Sequence, residues 1–188
     1  MAVRQRDCHG VRRAFGARTI ITDGGPGAAR CAAAACAMDQ PAALGTLAAI
    51  NSGEIDAGRA ALSQAQDARV KRYAQKMVDA HTASNRQMAG WKVDTTAPAA
   101  LEKKEDGKRT LSMLKQAKGA AFGGAYLRAM VNDHQGALAV LDARLVPSAQ
   151  DADVASFLKT TRMHVAEHLT EAQQLLSQMT GSGRDSKP

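Results

Sequence analysis

Two segments of the sequence repeat one pattern of side chains that ends in a histidine. The first segment reads YAQKMVDAH and ends at His81, and the second reads YLRAMVNDH and ends at His134. Tyrosine, methionine, valine and histidine hold the same relative positions in both segments. Neutral histidine binds transition metals through a ring nitrogen, and it also transfers protons near neutral pH. Both histidines are therefore candidates for metal or proton chemistry.

Two other helical patterns also carry polar side chains on their apolar faces. Glu54 lies among small and apolar residues at a spacing of three or four, which are Leu47, Ile50, Ala57 and Ala61. His164 and His168 lie in the last such pattern of the chain. A spacing of three to four residues places side chains on one face of an α-helix. We therefore expect Glu54 and these histidines to point into the protein.

The heights of these residues agree if the helices pack as two antiparallel hairpins. At 1.5 Å per residue, Glu54 and His81 lie about 18 and 22 Å from the turn between their helices. His134, His164 and His168 lie about 21, 23 and 29 Å from the turn between theirs. We expect the polar side chains to meet near the middle of a helical bundle.

Such a buried cluster has two interpretations, because unpaired buried polar groups cost about several kcal/mol. One is a centre for one transition-metal ion, Zn, Fe, Mn or Cu, with ligands from separate helices. Its predicted ligands are Glu54, His81, His134 and His168, with His164, Tyr73 and Tyr126 as alternates or neighbours. The other is a non-catalytic structural or envelope-stress bundle, in which Glu54 accepts hydrogen bonds from histidine and from Tyr73 or Tyr126. The residue pattern leaves both open.

The sequence predicts no catalytic residues and no organic cofactor around this cluster. His164 and His168 have the spacing of a zinc-protease helix, but Val165 stands where that pattern requires glutamate. Asp133 precedes His134, yet no serine or cysteine nucleophile accompanies them. Because Asp133 is next to an inward histidine, it is expected to point away from the apolar face. Whether the chain is an enzyme stays open at this point.

The composition favours an all-α protein, because alanine is abundant and aromatic residues make up only 3%. Helical periodicity predicts four long helices and a shorter one within the link of residues 92–118. One long crossover of this kind is typical of the ferritin-like four-helix bundle. The predicted domains are a disordered or degenerate export segment (1–40), the bundle (41–180) and a disordered tail (181–188).

The net charge of +7 does not indicate nucleic-acid binding. Six arginines against three aspartates lie in residues 1–40, and the rest of the excess is spread over helices of mixed charge. No stretch reaches the roughly 18 apolar residues of a membrane span. We expect a soluble monomer or homo-oligomer with no nucleic-acid partner and no transmembrane span.

The motifs together resemble a bacterial family, the domain of unknown function 4142. The resemblance covers about residues 44–179 and lies in the segments 53–55, 70–81, 126–134 and 164–169. It implies a ferritin-like helical bundle and a periplasmic or otherwise exported location. Its motif positions in this chain are Glu54, His81, His134 and His168.

The chain departs from the ferritin-like proteins that activate oxygen at two iron ions. Those proteins use a Glu-x-x-His pattern on two helices. Here Val78 and Val165 stand three residues before His81 and His168. With Glu54 as the one inward carboxylate, di-iron chemistry is not expected.

Overall fold

The computed structural model describes residues 38–181, and nearly all of them are helical. The five α-helices are α1 (Gln40–Gln64), α2 (Ala68–Gln87), α3 (Pro98–Gln116), α4 (Ala121–Val140) and α5 (Ala152–Gly181). No strand occurs within these residues, so the prediction of an all-α protein is confirmed there. Most of the predicted disordered ends, residues 1–37 and 182–188, lies outside the described residues.

Local side-chain chemistry sets where the helices begin. Asp39 caps α1, since its carboxylate accepts a hydrogen bond of 2.9 Å from the backbone N–H of Ala42. Asp67 caps α2 in the same way through the N–H of Arg69, at 2.7 Å. Such caps stabilise a helix by about 1 kcal/mol. α1 begins at Gln40, one residue before the predicted start of the bundle at residue 41.

The helix of the predicted crossover, α3, is the shortest of the five α-helices, although α2 and α4 are only slightly longer. α3 has 19 residues and packs along α1, which also packs against α2, while α4 packs against α5. The backbones of α1 and α3 meet at two glycines: a Cβ atom on Gly53 would lie 3.1 Å from the Cα atom of Gly107. Side chains on these two residues would push the helices apart.

Two apolar clusters fill the interior at different heights. The first contains the aromatic and methionine residues of the repeated segments, and its largest members are Tyr73, Met77, Phe122, Tyr126 and Met130. The second is mostly aliphatic and includes Leu44, Leu47, Leu141, Leu145 and Leu158. On α1, α2, α4 and α5 a buried polar residue stands between the members of the two clusters. Those residues are Glu54, His81, His134 and His168.

The described helices also lack the combination of length and apolar character that a bilayer crossing requires.

Candidate metal centre

The structure brings three of the predicted ligands together, one from each of three helices. His81 on α2, His134 on α4 and His168 on α5 are all at least 95% buried. Their ring centroids lie 5.6 to 5.9 Å apart. One ring nitrogen of each histidine lies within 4.8 Å of the corresponding nitrogens of the other two. The expected convergence at mid-height therefore holds for these three residues.

A hydrogen-bond chain on α1 and α2 determines the tautomer of His81. The side-chain nitrogen of buried Asn51 donates to Ser84 Oγ at 3.0 Å and to Asn85 Oδ1 at 2.8 Å. Asn51 Oδ1 therefore faces His81 Nδ1, at 2.9 Å. This oxygen can only accept a hydrogen bond, so Nδ1 of His81 carries the proton. The lone pair of neutral His81 is left on Nε2.

The main chain of α4 determines the tautomer of His134. Its Nδ1 lies 2.9 Å from the carbonyl oxygen of Met130, one turn earlier. A carbonyl oxygen accepts but does not donate, so Nδ1 donates and Nε2 keeps its lone pair. Histidines that bind metals commonly donate their second nitrogen to a carbonyl or side-chain oxygen in this way.

Three ring nitrogens of the cluster have no hydrogen-bond partner among residues 38–181. They are His81 Nε2, His134 Nε2 and His168 Nδ1, and all three are inaccessible to solvent. A buried polar atom without a partner costs about 1–3 kcal/mol. A shared metal ion would satisfy all three nitrogens at once.

The spacing of the three histidines suits a metal ion. Nitrogens within 4.8 Å of one another surround a point at most about 2.8 Å from each. Zinc–nitrogen bonds measure about 2.0–2.1 Å, so each nitrogen would have to move by less than about 1 Å, through rotation of its ring, to bind the ion.

All three histidines are held in the form that binds metals. Burial, and then the neighbouring imidazoles of His134 and His168, lower the pKa of His81 to about 3. Burial likewise lowers the pKa of His134 to about 4 and that of His168 to about 3. Each ring is therefore neutral at neutral pH, and a metal ion would not have to displace a proton from it.

Glu54 lies beside the cluster and outside the group of converging nitrogens. Its Oε1 is 3.7 Å from Nδ1 of His134, on the side of the ring that faces Met130. That distance is too long for a hydrogen bond. Oε2 has no hydrogen-bond partner within the described residues. Burial, and then the charge of Asp133, raises the pKa of Glu54 well above its usual value.

A cleft between α1, α3 and α4 leads from the surface to Glu54. Its volume is about 310 Å³, and its polar lining includes Glu54, Lys103, Asp106, Thr110 and Asp133. Asp133 is half-buried, and its carboxylate accepts a hydrogen bond of 3.2 Å from Thr110 Oγ1. The interior of the bundle thus has an opening next to its polar layer, which the sequence did not predict.

Comparison with known families agrees with the resemblance carried by the repeated motifs. Residues 25–175 match the family described as domain of unknown function 4142 (DUF4142), which is most of the chain. The chain belongs to this family. No curated protein and no solved structure shows a significant match. The DUF4142 match includes Glu54 and all three buried histidines, and it begins before α1, within the predicted export segment.

The tyrosines of this DUF4142 chain do not form the hydrogen bonds that a polar network would require. Tyr73 donates its hydroxyl proton to the backbone oxygen of His168, at 3.2 Å. The hydroxyl of Tyr126 has no partner within the described part of the chain. Neither hydroxyl bonds to Glu54, and the three histidines are not hydrogen-bonded to one another. This pattern favours the metal interpretation over the structural network.

His164 is exposed, whereas the sequence pattern placed it on the inner face of α5. The buried positions of this helix are Val154, Leu158, Thr161, Val165, His168 and Ala172. At 100° per residue, the centre of that face lies about 40° to one side of His168, and His164 lies about 40° to the other. His164 is therefore about 80° from the centre of the buried face and does not approach the cluster.

Asn51 is the residue of the site that the sequence pattern missed. It lies four residues after Leu47 and three before Glu54, so it satisfies the helical spacing as well as Ile50 does. The sequence analysis placed Ile50 on the inner face because it is apolar. In the structure Asn51 is buried and Ile50 is half-buried at the cleft.

Proposed function

We propose that this DUF4142 chain binds one transition-metal ion through His81 Nε2, His134 Nε2 and His168 Nδ1. The observation that supports the proposal is a set of three buried, unpartnered nitrogens on converging neutral rings. In two of these rings the opposite nitrogen is held by a hydrogen bond to Asn51 or Met130. The tautomers are thus already those that metal binding needs.

The ligand set favours zinc, copper or iron among the candidate metals. Imidazole nitrogen suits these three, whereas manganese prefers carboxylate and water oxygen. Three protein ligands leave a fourth position in a tetrahedral zinc site. Glu54 or a water molecule would take this position in our proposal.

We also propose a ferritin-like bundle outside the cytoplasm as the setting of this site. The packing of α1 on α2 and of α4 on α5 supports the bundle, since α3 lies in the link between the two pairs. The export that the DUF4142 resemblance implies supports the location. Fractionation of cells that produce the full chain would test it, with the protein expected outside the cytoplasm.

Metal analysis of protein purified without a histidine tag tests the metal proposal. We expect one ion per chain, and a melting temperature that falls when a strong chelator removes the ion. His168→Ala should lose the ion, because it removes one of the three nitrogens. His164→Ala is the matched control, since it removes an exposed histidine from the same helix. A folded wild-type protein without stoichiometric metal after reconstitution, whose melting is unchanged by the chelator, would refute the proposal.

A further inference from the structure

The three histidines are almost fully covered, so an ion needs a path to reach them. Glu54 lines the cleft between α1, α3 and α4 and is the most deeply buried of its lining residues. One oxygen of Glu54 lies 3.7 Å from the ring of His134. Glu54 therefore separates the cleft from the histidine cluster and contacts both.

Carboxylates line this cleft at increasing burial. Asp106 is about one-third exposed, Asp133 is half-buried, and Glu54 is 5% exposed. Oε2 of Glu54 is buried without a partner, although its residue forms part of the cleft wall. A buried carboxylate oxygen with no hydrogen bond is costly and gains most from a bound cation.

We propose that this cleft is the entry route of the metal ion, and that Glu54 and Asp133 form a carboxylate site that binds the divalent cation on its way to the histidines. The inference rests on the proposed metal binding and adds a second cation site to it. Two carboxylates supply the oxygen ligands, and the ion also offsets the repulsion between them.

The ligand chemistry gives the transfer its direction. Two carboxylates bind zinc, copper or cobalt more weakly than three imidazoles do, because these metals prefer nitrogen ligands. An ion held between Glu54 and Asp133 is therefore released toward the histidines. Because Glu54 borders His134, the distance that remains to the cluster is short.

Two basic residues at the cleft oppose the entry of a cation. Lys103 and Arg109 line it, and both are paired with Asp106, the Lys103 bond measuring 2.8 Å. The carboxylate of Asp106 offsets part of the positive charge of Lys103 and Arg109, and so reduces their repulsion of an entering cation. Removal of the Lys103 charge should therefore speed uptake, and removal of the Asp133 charge should slow it.

Stopped-flow mixing of the metal-free full chain with Co²⁺, followed by absorbance, tests the proposal. A unit charge about 6 Å from a divalent ion changes the uptake rate about tenfold at low salt. We expect Asp133→Asn to slow uptake by about this factor and Lys103→Gln to speed it. Glu54→Gln should also slow uptake, because it removes a carboxylate ligand of the entry site. Asp142→Asn is the matched control, because it removes an exposed carboxylate that does not line the cleft.

A steric variant tests the route without changing any charge. A Cβ atom on Gly136 would meet nothing within 4 Å, although this residue lines the cleft. Gly136→Phe should therefore fold, narrow the cleft and slow uptake, with one ion still bound at the end. Gly136→Ala is its control, since a methyl group leaves the cleft open.

The two proposals fail in different ways in these experiments. Wild-type rates in Asp133→Asn, Glu54→Gln and Gly136→Phe, with one Co²⁺ bound by each, would overturn the entry route and leave the metal site standing. Absence of Co²⁺ binding by the folded wild-type chain would overturn the metal site itself. Slower uptake in Asp133→Asn and Gly136→Phe, with unchanged final stoichiometry and unchanged rates in the controls Asp142→Asn and Gly136→Ala, would establish the route.

Discussion

Replacement of Asn51 by leucine should weaken metal binding without removing any ligand. Asn51 Oδ1 accepts a hydrogen bond of 2.9 Å from His81 Nδ1, and Asn51 Nδ2 donates hydrogen bonds to Ser84 and Asn85. Leucine has a similar size but no acceptor. His81 would then lose the contact that selects its tautomer and orients its ring toward the other two histidines.

The magnitude follows from the role of such a contact. Loss of a hydrogen bond that orients a metal-binding histidine lowers metal affinity by about 10–100-fold. That range corresponds to about 1.4–2.7 kcal/mol of binding free energy. The metal-free protein should also lose about 1–3 kcal/mol of stability, because His81 Nδ1 is left buried without an acceptor. The ligand count of the site does not change.

Competition between the protein and a coloured zinc chelator at fixed pH measures this affinity. Asn51→Asp is the informative partner variant, because its carboxylate restores an acceptor for His81. We expect Asn51→Asp to bind zinc more tightly than Asn51→Leu, even where both are less stable than wild type without metal. A wild-type dissociation constant in Asn51→Leu, at one zinc ion per chain, would refute the idea that Asn51 orients His81.

Three further predictions concern the stability of the metal-free protein. The pKa values of the buried histidines are about 3 to 4 in the folded chain, against about 6.5 when unfolded. The unfolded chain therefore takes up more protons, and stability should fall as the pH drops from about 6.5 to 4, measured by urea unfolding. Glu54→Gln should raise stability at pH 7, because burial disfavours the charged carboxylate and glutamine carries no charge; an unchanged urea midpoint would contradict this. Gly53→Val should lower the melting temperature, because a Cβ on Gly53 would lie 3.1 Å from the Cα atom of Gly107. Gly136→Ala should not, because a Cβ there would meet nothing within 4 Å.

The heights of the buried polar residues were predictable because the rise of an α-helix is constant. Counting residues from each turn placed His81 and His134 at one level, about 22 and 21 Å from their turns, but placed His168 about one helical turn farther away, at about 29 Å. The rotation of each helix was harder to predict, since neighbouring residues differ by 100°. The choice of Ile50 over Asn51, and the inward placement of His164, are both errors of that kind.

The cleft and the position of Glu54 depend on the packing of whole helices. α3 was expected as a shorter helix within the crossover, and it is the shortest of the five, but its packing along α1 was not predicted. Its approach depends on Gly53 and Gly107, which are far apart in sequence. Periodicity within one helix carries no information about such a pair, so the sequence patterns alone did not predict an opening beside Glu54.

The glycine contact between α1 and α3 has a mechanical consequence for the bundle. Because the two backbones are in direct contact there, no side chain can rotate to let the two helices slide or separate gradually. α1 and α3 should consequently move as one stiff unit, and any widening of the opening must come from displacement of α4. Backbone amides in the facing turns around Gly53 and Gly107 should therefore exchange slowly and at similar rates. Their exchange would then reflect one cooperative separation of the two helices.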